Sequence, residues 1–481
     1  MWWLLLVAIL LFVLLYLLGR KPTTKERRPP HGKTIWLLWL QGWDKAPWLI
    51  NKVKESWETL NPEWHVELVD EKNLSEYVEI PYIDKISSPA AKSDVIRLSL
   101  LEKHGGVWAD STLLCMHPLD NWIYDALEPV GFWMYHGRDN GSGPASWFII
   151  SIAKSNLITK WKKACDDYWS DRRVEDYYFW MDALFKKLLD ADSDFKQEWG
   201  KVPYIWCEDV GQSHMLAGKT QSNDPELKKI LDENPPYVVK LSRGWNGVDF
   251  SEKMTDSNAY FAIQKALSQE NPSHKLHEMK FTDDTSFSNS VVVLADCGNG
   301  NDIKRVSEET PSELVVYDKC HFCKNCPENI RCRPRKNVGR EQETFLYFVT
   351  KYFDKLPKDM IFLPTPIDKH DRFERFKHIL STGNNKYYGL TIGDQENFIL
   401  PEYEGRPVTR ASVTPYRNWY EKYIGEWNPQ TPLVWNGIYK TTRDRILEKP
   451  LDFFKKLHEQ TVVANDAEVG HYLERSMTSI F

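Results

Sequence analysis

The sequence predicts an α/β protein with two domains behind an N-terminal transmembrane helix. Three observations carry this prediction. An uncharged apolar run opens the chain, strand-like and helix-like segments alternate after it, and a polar stretch separates two such series. We expect an anchor, a linker, a first domain, a second linker and a second domain at residues 1–19, 20–32, 33–275, 276–287 and 288–481.

The composition limits the class of protein. The chain has 481 residues, enough for two hydrophobic cores, with 42% hydrophobic and 27% charged residues. Its formal charge of −6 offers no basic surface of the kind that nucleic-acid binders use, so we expect no nucleic acid partner. The 21 Trp, 22 Tyr and 21 Phe suit stacking on sugar or base faces, which favours a carbohydrate or nucleotide ligand.

The first segment, Trp2 to Leu18, has the length and composition of a membrane anchor. It carries no charge, and as a helix rising about 1.5 Å per residue it reaches about 25 Å, which just spans a bilayer. The alternative is a cleaved signal peptide, but no basic stretch precedes the run and no small-residue cleavage site follows it. We therefore expect a single-pass membrane protein.

Flanking residues bear on the side of the membrane that the domains occupy. Basic residues follow the span directly, at Arg20, Lys21, Lys25, Arg27 and Arg28. This bias places the domains in the cytoplasm. A lumenal, Golgi-type orientation is the alternative, and the Asn-x-Ser sites at Asn73 and Asn140 could carry glycans only there.

The segments that follow predict the elements of the first domain in order. TIWLLWLQG is a short apolar run that predicts a buried strand, APWLINKVKESWETL predicts a helix, and HVELVD alternates like a second strand. Pro89 suits the first turn of a helix over Ala90 to Lys103, and His104-Gly105-Gly106 would end it. VWAD then predicts a strand that ends at Asp110.

Within this segment, three charged residues are spaced as in a binding site. Asp94 and Arg97 are neighbours at i, i+3 on the predicted helix, and Asp110 lies at the carboxyl end of the predicted strand. A carboxylate in that position points into the crevice where α/β sheets bind ligands. An i, i+3 pair alone is usually a solvated ion pair, but the double glycine and Asp110 at this spacing favour a site.

These segments, together with DYYFWMDALF, resemble the capsular polysaccharide synthesis protein family and the related family 32 glycosyltransferases over about Lys33 to Asn246. The resemblance implies a GT-A fold and the transfer of a sugar, with retention, from a nucleotide-sugar donor to a glycan or polysaccharide acceptor. It also implies the catalytic and donor-binding residues: Asp94 and Arg97 at the donor's sugar and ribose, Gly106 in the donor site, Trp36 and Trp39 near the base, and Asp110 on a divalent cation, Mn or Mg.

The Asp-x-Asp motif that the resemblance implies is incomplete in this chain. Thr112 stands where the second carboxylate would be, in Asp110-Ser111-Thr112. Metal dependence, and activity itself, are therefore open at this point. The alternative function is a non-catalytic glycan-binding or assembly protein with a degenerate donor site. Asp182 receives no catalytic role, because related sequences often have His at the aligned position.

The second half predicts another α/β series. SVVVLADCG, ELVVYDKC and DMIFLPTP predict strands, and ETFLYFVTKYFDKL predicts a helix. VVYDK, NVGREQETFLYF and EVGHYLERSMTSIF are similar to an uncharacterised family with an Asn-x-Gly-Arg-Glu signature, suspected of being glycosyltransferase-like, over roughly Ser288 to Phe481. The matched polar positions give the second-domain candidates Asn337, Arg340, Glu341, His370, His471 and Glu474. A simple ion pair at a helix start is the alternative for Arg340 and Glu341.

A cysteine-rich loop lies between these segments. Cys320, Cys323, Cys326 and Cys332 occur in CHFCKNCPENIRC, with Cys297 on the preceding predicted strand. This spacing predicts a structural zinc site if the domain is cytoplasmic and disulfides if it is lumenal. An iron–sulfur cluster and free thiols are further alternatives. The predicted cytoplasmic orientation favours zinc.

Overall fold

The computed structural model describes residues 32–137, 145–207, 223–241, 257–268, 279, 286–298, 300–327, 330, 332–385, 389–464 and 467–481. The predicted anchor at Trp2–Leu18, nearly all of its linker, and Asn140 lie outside these residues. Within the described ranges, no helix is both long enough and apolar enough to cross a bilayer.

The first sheet is mixed and has five strands in the order β2-β1-β3-β6-β5. Their bounds are β1 Thr34–Leu38, β2 His65–Val69, β3 Gly106–Ala109, β5 Phe132–Met134 and β6 Phe148–Ser151, and a separate antiparallel ribbon pairs β4 Leu113–Cys115 with β7 Val238–Lys240. Strand β1 runs parallel to both neighbours, while β6 is antiparallel to both of its own. All five β1 residues are buried, which explains the unbroken apolar run of the sequence.

The helices of the first half cover this sheet. They are α1 Trp48–Leu60, α2 Leu74–Tyr77, α3 Pro89–His104, α4 Ile123–Leu127, α5 Asn156–Trp169, α6 Trp180–Ala191, α7 Ser193–Trp199, α8 Pro225–Glu233 and α9 Asn258–Leu267. Helix α3 begins where the Ser88 hydroxyl accepts a hydrogen bond from the Ala91 N–H. It ends at Gly105, whose φ of 67° suits glycine. The predicted helix is thus confirmed, with one more residue at each end.

The second sheet has the order β10-β9-β8-β11-β14. Its strands are β8 Ser290–Asp296, β9 Glu313–Asp318, β10 Cys332–Pro334, β11 Asp359–Pro364 and β14 Tyr439–Thr442, and β12 Glu402–Tyr403 pairs with β13 Arg406–Pro407 in a ribbon. The first four are parallel, and β14 is antiparallel to β11. Because β9 and β11 lie on opposite sides of β8, the strand order reverses there, and such a reversal opens a crevice at the carboxyl ends.

Helices α10 Asn301–Glu309, α11 Arg340–Lys351, α12 Arg372–Thr382, α13 Tyr416–Tyr423, α14 Arg443–Leu447, α15 Leu451–Thr461, α16 Glu468–Arg475 and α17 Met477–Ile480 complete the second half. Helix α11 begins three residues earlier than the segment from Glu343 predicts and ends at Lys351, after which Phe353–Lys355 form a 3-10 turn. This shift brings Arg340 and Glu341 into the first turn of the helix.

Buried polar groups join the two halves. Glu128, which follows α4, forms an ion pair with Arg333 of β10, with Oε1 3.0 Å from Nε. The same carboxylate accepts a hydrogen bond from the Tyr352 hydroxyl. Apolar packing also joins them, because Phe322 of the second half belongs to the cluster around Trp57 and Trp133, and Ile152 of the first half packs against one of the two clusters of the second half. The predicted division at 276–287 stays a prediction.

Candidate functional site

Asp110 lies directly after β3, at the carboxyl edge of the first sheet. Its backbone N–H donates to the Trp147 carbonyl at 3.0 Å. Its Oδ1 accepts from the Trp108 indole at 3.0 Å and lies 3.4 Å from Arg97 Nη2. Its Oδ2 accepts from Lys240 Nζ at 2.6 Å. Strand β3, helix α3 and strand β7 therefore converge on one carboxylate.

Arg97 is buried on α3 and connects the helix to the strand ends. Its Nη2 lies 3.0 Å from Asp94 Oδ1, and its Nη1 donates to the Ser146 carbonyl at 2.7 Å. The guanidinium also lies over the Trp108 ring, 5.2 Å from the centroid. The structure thus brings together Asp94, Arg97 and Asp110, which were selected from their spacing alone.

The surroundings of Asp94, Asp110 and Asp182 shift the pKa values of these three carboxyl groups in different directions. Burial raises the pKa of Asp94 to about 6, against the opposing pull of Arg97. Burial and the negative charge of Asp94 raise the pKa of Asp182 to about 7. Burial would also raise the pKa of Asp110, but Lys240 and Arg97 together hold it below its usual value. One carboxylate is thus firmly ionised beside another that exchanges a proton near neutrality.

Two of the predicted donor-binding residues have structural roles instead. Trp36 is fully buried, and its indole N–H donates to the Gly105 carbonyl at 2.9 Å, so it cannot contact a base. Gly106 begins β3, at the end of the strand opposite Asp110. With its φ of 102°, a Cβ there would lie 2.4 Å from the Thr34 carbonyl oxygen. Close strand packing requires this glycine, and its place at the opposite end of β3 gives no support to the prediction that it binds donor.

Trp39 remains a candidate for the donor site. It follows β1 and is half-buried, and its indole Nε1 has no hydrogen-bond partner among the described residues. The Ser111 hydroxyl donates to the Leu38 carbonyl at 2.7 Å, which fixes the end of β1 beside the end of β3. Trp39 therefore lies at the same edge of the sheet as Asp110.

The donor set at Asp110 does not fit a divalent cation. Both carboxylate oxygens face cationic or N–H groups, from Lys240, Arg97 and Trp108. Thr112 offers no carboxylate, and its backbone carbonyl accepts from the Leu241 N–H at 2.8 Å. A hard divalent cation requires several oxygen ligands. The Lys240 ammonium, 2.6 Å from Asp110 Oδ2, would repel such an ion. The prediction of a metal ion on Asp110 is corrected accordingly.

Two residues of the cluster were missed or set aside by sequence reasoning. Lys240 lies 130 positions from Asp110 and meets it only because β7 pairs with β4 beyond the motif. No local pattern in VVK signals this contact. Asp182 was given no catalytic role, because related sequences often have His at the aligned position and a helix with polar positions between aromatic residues is usually only amphipathic. Its burial beside Asp94 could not be read from the sequence.

An exposed aromatic segment leads into α6, next to this cluster. Val174, Tyr177, Tyr178 and Phe179 have 61%, 51%, 72% and 53% of their surface exposed. Asp182 follows in the first turn of the helix. Exposed apolar residues grouped in this way indicate a surface for a ligand or partner.

In the second half, four of the six candidate residues meet near the carboxyl end of β11. Arg340 Nη1 lies 2.8 Å from His471 Nε2, and its Nε lies 3.7 Å from Glu341 Oε2. The Arg340 guanidinium also covers the Tyr403 ring at 4.8 Å. Burial and the charges of Arg340 and Arg475 lower the pKa of His471 to about 3, so its imidazole is neutral.

Glu474 completes this second cluster. Its Oε1 accepts from the Asn436 backbone N–H at 2.7 Å. Burial and the neighbouring charge of Glu341 raise the pKa of Glu474. For Glu341, burial is outweighed by Arg340 and Arg372, which lower its pKa. Glu341 is therefore ionised, whereas Glu474 is more readily protonated.

The other two candidates lie apart from this cluster. The Asn337 side-chain amide donates to Cys320 Sγ at 3.3 Å, in the cysteine-rich loop. His370 is exposed, and its backbone carbonyl accepts from the Asn436 side-chain amide at 3.4 Å. Neither side chain contacts Arg340 among the described residues, so the assignment of Asn337 and His370 to a second-domain site stays a prediction.

The cysteines form disulfides. Cys297 is bonded to Cys320, and Cys326 to Cys332, while Cys323 is a buried thiol. The sulfur atoms of Cys323, Cys326 and Cys332 lie within 4.8 Å of one another, but Cys320 does not join them. The predicted zinc site of four thiolates is therefore wrong, because disulfide formation removes the thiolates that zinc needs. The disulfide alternative is the one found.

A family match covers the part of the chain that contains the first cluster. Residues 19–242 match the family described as capsular polysaccharide synthesis protein, which is just under half of the chain. This match confirms the resemblance of the N-terminal half. Asp94, Arg97, Asp110 and Lys240 all lie inside it.

Two curated relatives of this chain are glycosyltransferases by name. The glycosyltransferase afumC of Aspergillus fumigatus is 28% identical over 243 residues, 46% of this chain and 58% of that protein. The initiation-specific alpha-1,6-mannosyltransferase of Candida albicans is 29% identical over 109 residues, 20% of this chain and 28% of that protein. The chain thus spans less than two thirds of the length of these relatives.

The glycosyltransferase GlyE of Streptococcus pneumoniae TIGR4 is a similar solved structure. It is 12% identical and covers 63% of this chain and 80% of its own, with a TM-score of 0.27.

Proposed function

We propose, from the family match and the charged cluster inside it, that this chain is a glycosyltransferase of GT-A type. It moves a sugar from a nucleotide-sugar donor to a glycan or polysaccharide acceptor, with retention at the anomeric carbon. The observation that carries the proposal is the convergence of Arg97 and Lys240 on the half-buried carboxylate of Asp110.

The charges of the cluster match the needs of this reaction. When the bond between sugar and phosphate breaks, the departing diphosphate gains negative charge that must be stabilised. Lys240 and Arg97 are the cations that would do this, and Asp110 would hold both in position through its two oxygens. Arg97 can also bind phosphate or sugar oxygens in a bidentate manner.

Proton transfer would fall to a second carboxyl group. Because the configuration is retained, the acceptor hydroxyl attacks from the face that the diphosphate leaves, and its proton passes to a general base on that face. Such a base works best when its pKa is near the operating pH. Asp182, with a pKa raised to about 7 by burial and by Asp94, meets this condition. Trp39 is available for the donor's base, and Tyr177 and Tyr178 for stacking on acceptor sugars.

The domains are proposed to face the lumen of the secretory pathway, anchored through Trp2–Leu18. The two disulfides support this side of the membrane, because disulfides persist in oxidising compartments and are rare in the cytosol. The basic residues after the apolar run argue for the opposite side. We give the two disulfides more weight than the basic residues, because the positive-inside bias is a statistical tendency.

A second candidate function rests on Thr112. Because the donor motif lacks its second carboxylate, the site could bind a nucleotide sugar without transferring it, in a glycan-binding or assembly protein. The two candidates differ in one measurement. The full chain, purified in detergent, is incubated with GDP-mannose, UDP-glucose, UDP-galactose or UDP-N-acetylglucosamine, and released nucleotide is measured. Release supports the transferase, whereas saturable binding without release supports the alternative.

A further inference from the structure

Two buried carboxylates lie side by side at the reversal of strand order in the second sheet. Asp296 and Asp318 are the last residues of β8 and β9, and they are register partners on these adjacent parallel strands. Their exposed fractions are 0% and 1%. Like charges at matched positions of neighbouring strands repel, and burial strengthens the repulsion. Core packing alone does not account for such a pair.

The loop after β9 adds an imidazole to this pair. His321 Nδ1 lies 3.7 Å from Asp318 Oδ1. One ligand atom from each of Asp296, Asp318 and His321 lies within 4.8 Å of the others. Atoms bound to one ion at about 2.1 Å each stand about 3 to 4 Å apart, so the cluster is close to the size of a coordination sphere.

Hydrogen bonding leaves ligand positions open in the cluster. Asp296 Oδ1 accepts from the Gly298 N–H at 3.1 Å, whereas its Oδ2, although buried, has no hydrogen-bond partner among the described residues. A buried carboxylate oxygen without a partner costs free energy and calls for an explanation. His321 Nδ1 likewise lacks a hydrogen bond within the part of the chain that the structure describes.

Asp318 is oriented by the loop that carries His321. Its Oδ1 accepts from the backbone N–H groups of Cys320 and His321, at 2.8 and 2.7 Å, and its Oδ2 accepts from that of Cys323 at 2.9 Å. An ionised carboxylate has about four acceptor sites, so one remains on Oδ2. Outer hydrogen bonds of this kind fix a carboxylate in a metal site.

A disulfide fixes the spacing of the same three residues. Cys297 directly follows Asp296, Cys320 directly precedes His321, and the two cysteines are bonded to each other. The nearby ammonium of Lys319 points elsewhere, to Glu343 Oε2 at 3.0 Å and to two backbone carbonyls. It therefore does not neutralise the carboxylate pair.

We propose that Asp296, Asp318 and His321 bind a divalent transition-metal ion at the carboxyl ends of β8 and β9. Two carboxylate oxygens and one imidazole nitrogen suit Mn²⁺ or Zn²⁺, whereas Ca²⁺ takes oxygen ligands. The ion stabilises the second half of the chain by neutralising the carboxylate pair. This proposal does not depend on the proposed transfer reaction.

The test measures metal content and binding in the full chain. The chain is stripped with a chelator, supplied with Mn²⁺ or Zn²⁺ and desalted, and bound metal is counted by mass spectrometry, with electron paramagnetic resonance for Mn²⁺. We expect one ion per chain. Asp296→Asn should weaken binding by at least about ten- to a hundredfold. Glu308→Gln, an exposed change on α10, is the matched control and should bind as the unchanged chain does.

Melting temperatures separate metal binding from a purely structural role. With metal, the unchanged chain should melt higher than Asp296→Asn; without metal the order should reverse, because the variant removes one repelling charge. Folded protein that retains no metal would overturn the proposal. So would uptake that survives both Asp296→Asn and His321→Gln, or uptake that Asp110→Asn abolishes, since the ion would then lie elsewhere.

Discussion

At the residue scale, the first cluster shows what local spacing can and cannot predict. Asp94, Arg97 and Asp110 could be selected because a helix, a glycine stop and a short strand fix their separation within one segment. Lys240 could not, because its contact with Asp110 depends on the pairing of β4 with β7. Trp36 was predicted to lie near the donor's base, because the sequence does not indicate which face of a sheet an aromatic residue occupies.

The titration of Asp182 provides a prediction at this scale. Its pKa is 3.8 when unperturbed and about 7 in the folded chain, because of burial and Asp94. Between these values the folded state binds more protons than the unfolded state, so this group makes stability fall as pH rises from about 4 to 7. Asp182→Asn should therefore melt about 2–4 °C higher than the unchanged chain at pH 8, as for a gain of about 1 kcal/mol. Scanning calorimetry across this pH range measures the difference.

Asp190→Asn serves as the control, because Asp190 is exposed on the same helix, α6. It should leave the pH dependence of melting unchanged. An Asp182→Asn variant that loses stability equally at pH 4 and pH 8 would contradict the assigned shift.

At the element scale, most strands were predictable and the loops were not. The apolar runs TIWLL and SVVVLAD occur as β1 and β8, since buried strands need continuous apolar residues. Zinc was predicted for the cysteine-rich loop because the domains were expected in the cytoplasm, where cysteines stay reduced. The basic residues after the apolar run indicate that compartment only indirectly. Pairing of Cys320 with Cys297 requires β8 and β9 to be neighbours, and sequence periodicity does not specify which strands pair.

Disulfide mapping provides the prediction at this scale. Digestion without reductant should yield peptides linked through Cys297–Cys320 and Cys326–Cys332. The buried thiols Cys115, Cys165, Cys207 and Cys323 should react with an alkylating reagent only after unfolding. A full chain from its own host in which all of the loop cysteines are reduced and bind a zinc ion would contradict the disulfides and the lumenal orientation together.

At the scale of the whole molecule, the two halves are joined by a buried ion pair. The Glu128 and Arg333 side chains are 5% and 3% exposed and 3.0 Å apart. Two α/β halves could be predicted from the alternation of segments, but this junction could not, because Glu128 and Arg333 are far apart in the sequence and neither lies in a motif. Buried charges matter chiefly when one partner is lost.

Removing Arg333 tests this junction. Arg333→Met should lower the free energy of unfolding by about 3–5 kcal/mol, because it leaves Glu128 buried without its cation. Calorimetry should also show two separated transitions, as the halves cease to unfold together. Arg443→Met, at an exposed position of α14, should change neither quantity. A single unshifted transition for Arg333→Met would show that the pair does not couple the halves.

We propose that Asp110 positions Lys240 and Arg97 for the transfer of a sugar from a nucleotide donor. The most direct test is nucleotide release by Asp110→Asn, with the donor that the unchanged full chain turns over and with water as acceptor. We expect a rate at least about a hundredfold lower in a variant that still folds, because a preorganised charge contact is lost. Asp84→Asn, at an exposed surface position, should keep the full rate. Full turnover by folded Asp110→Asn, or no release from any donor by the unchanged chain, would contradict the account.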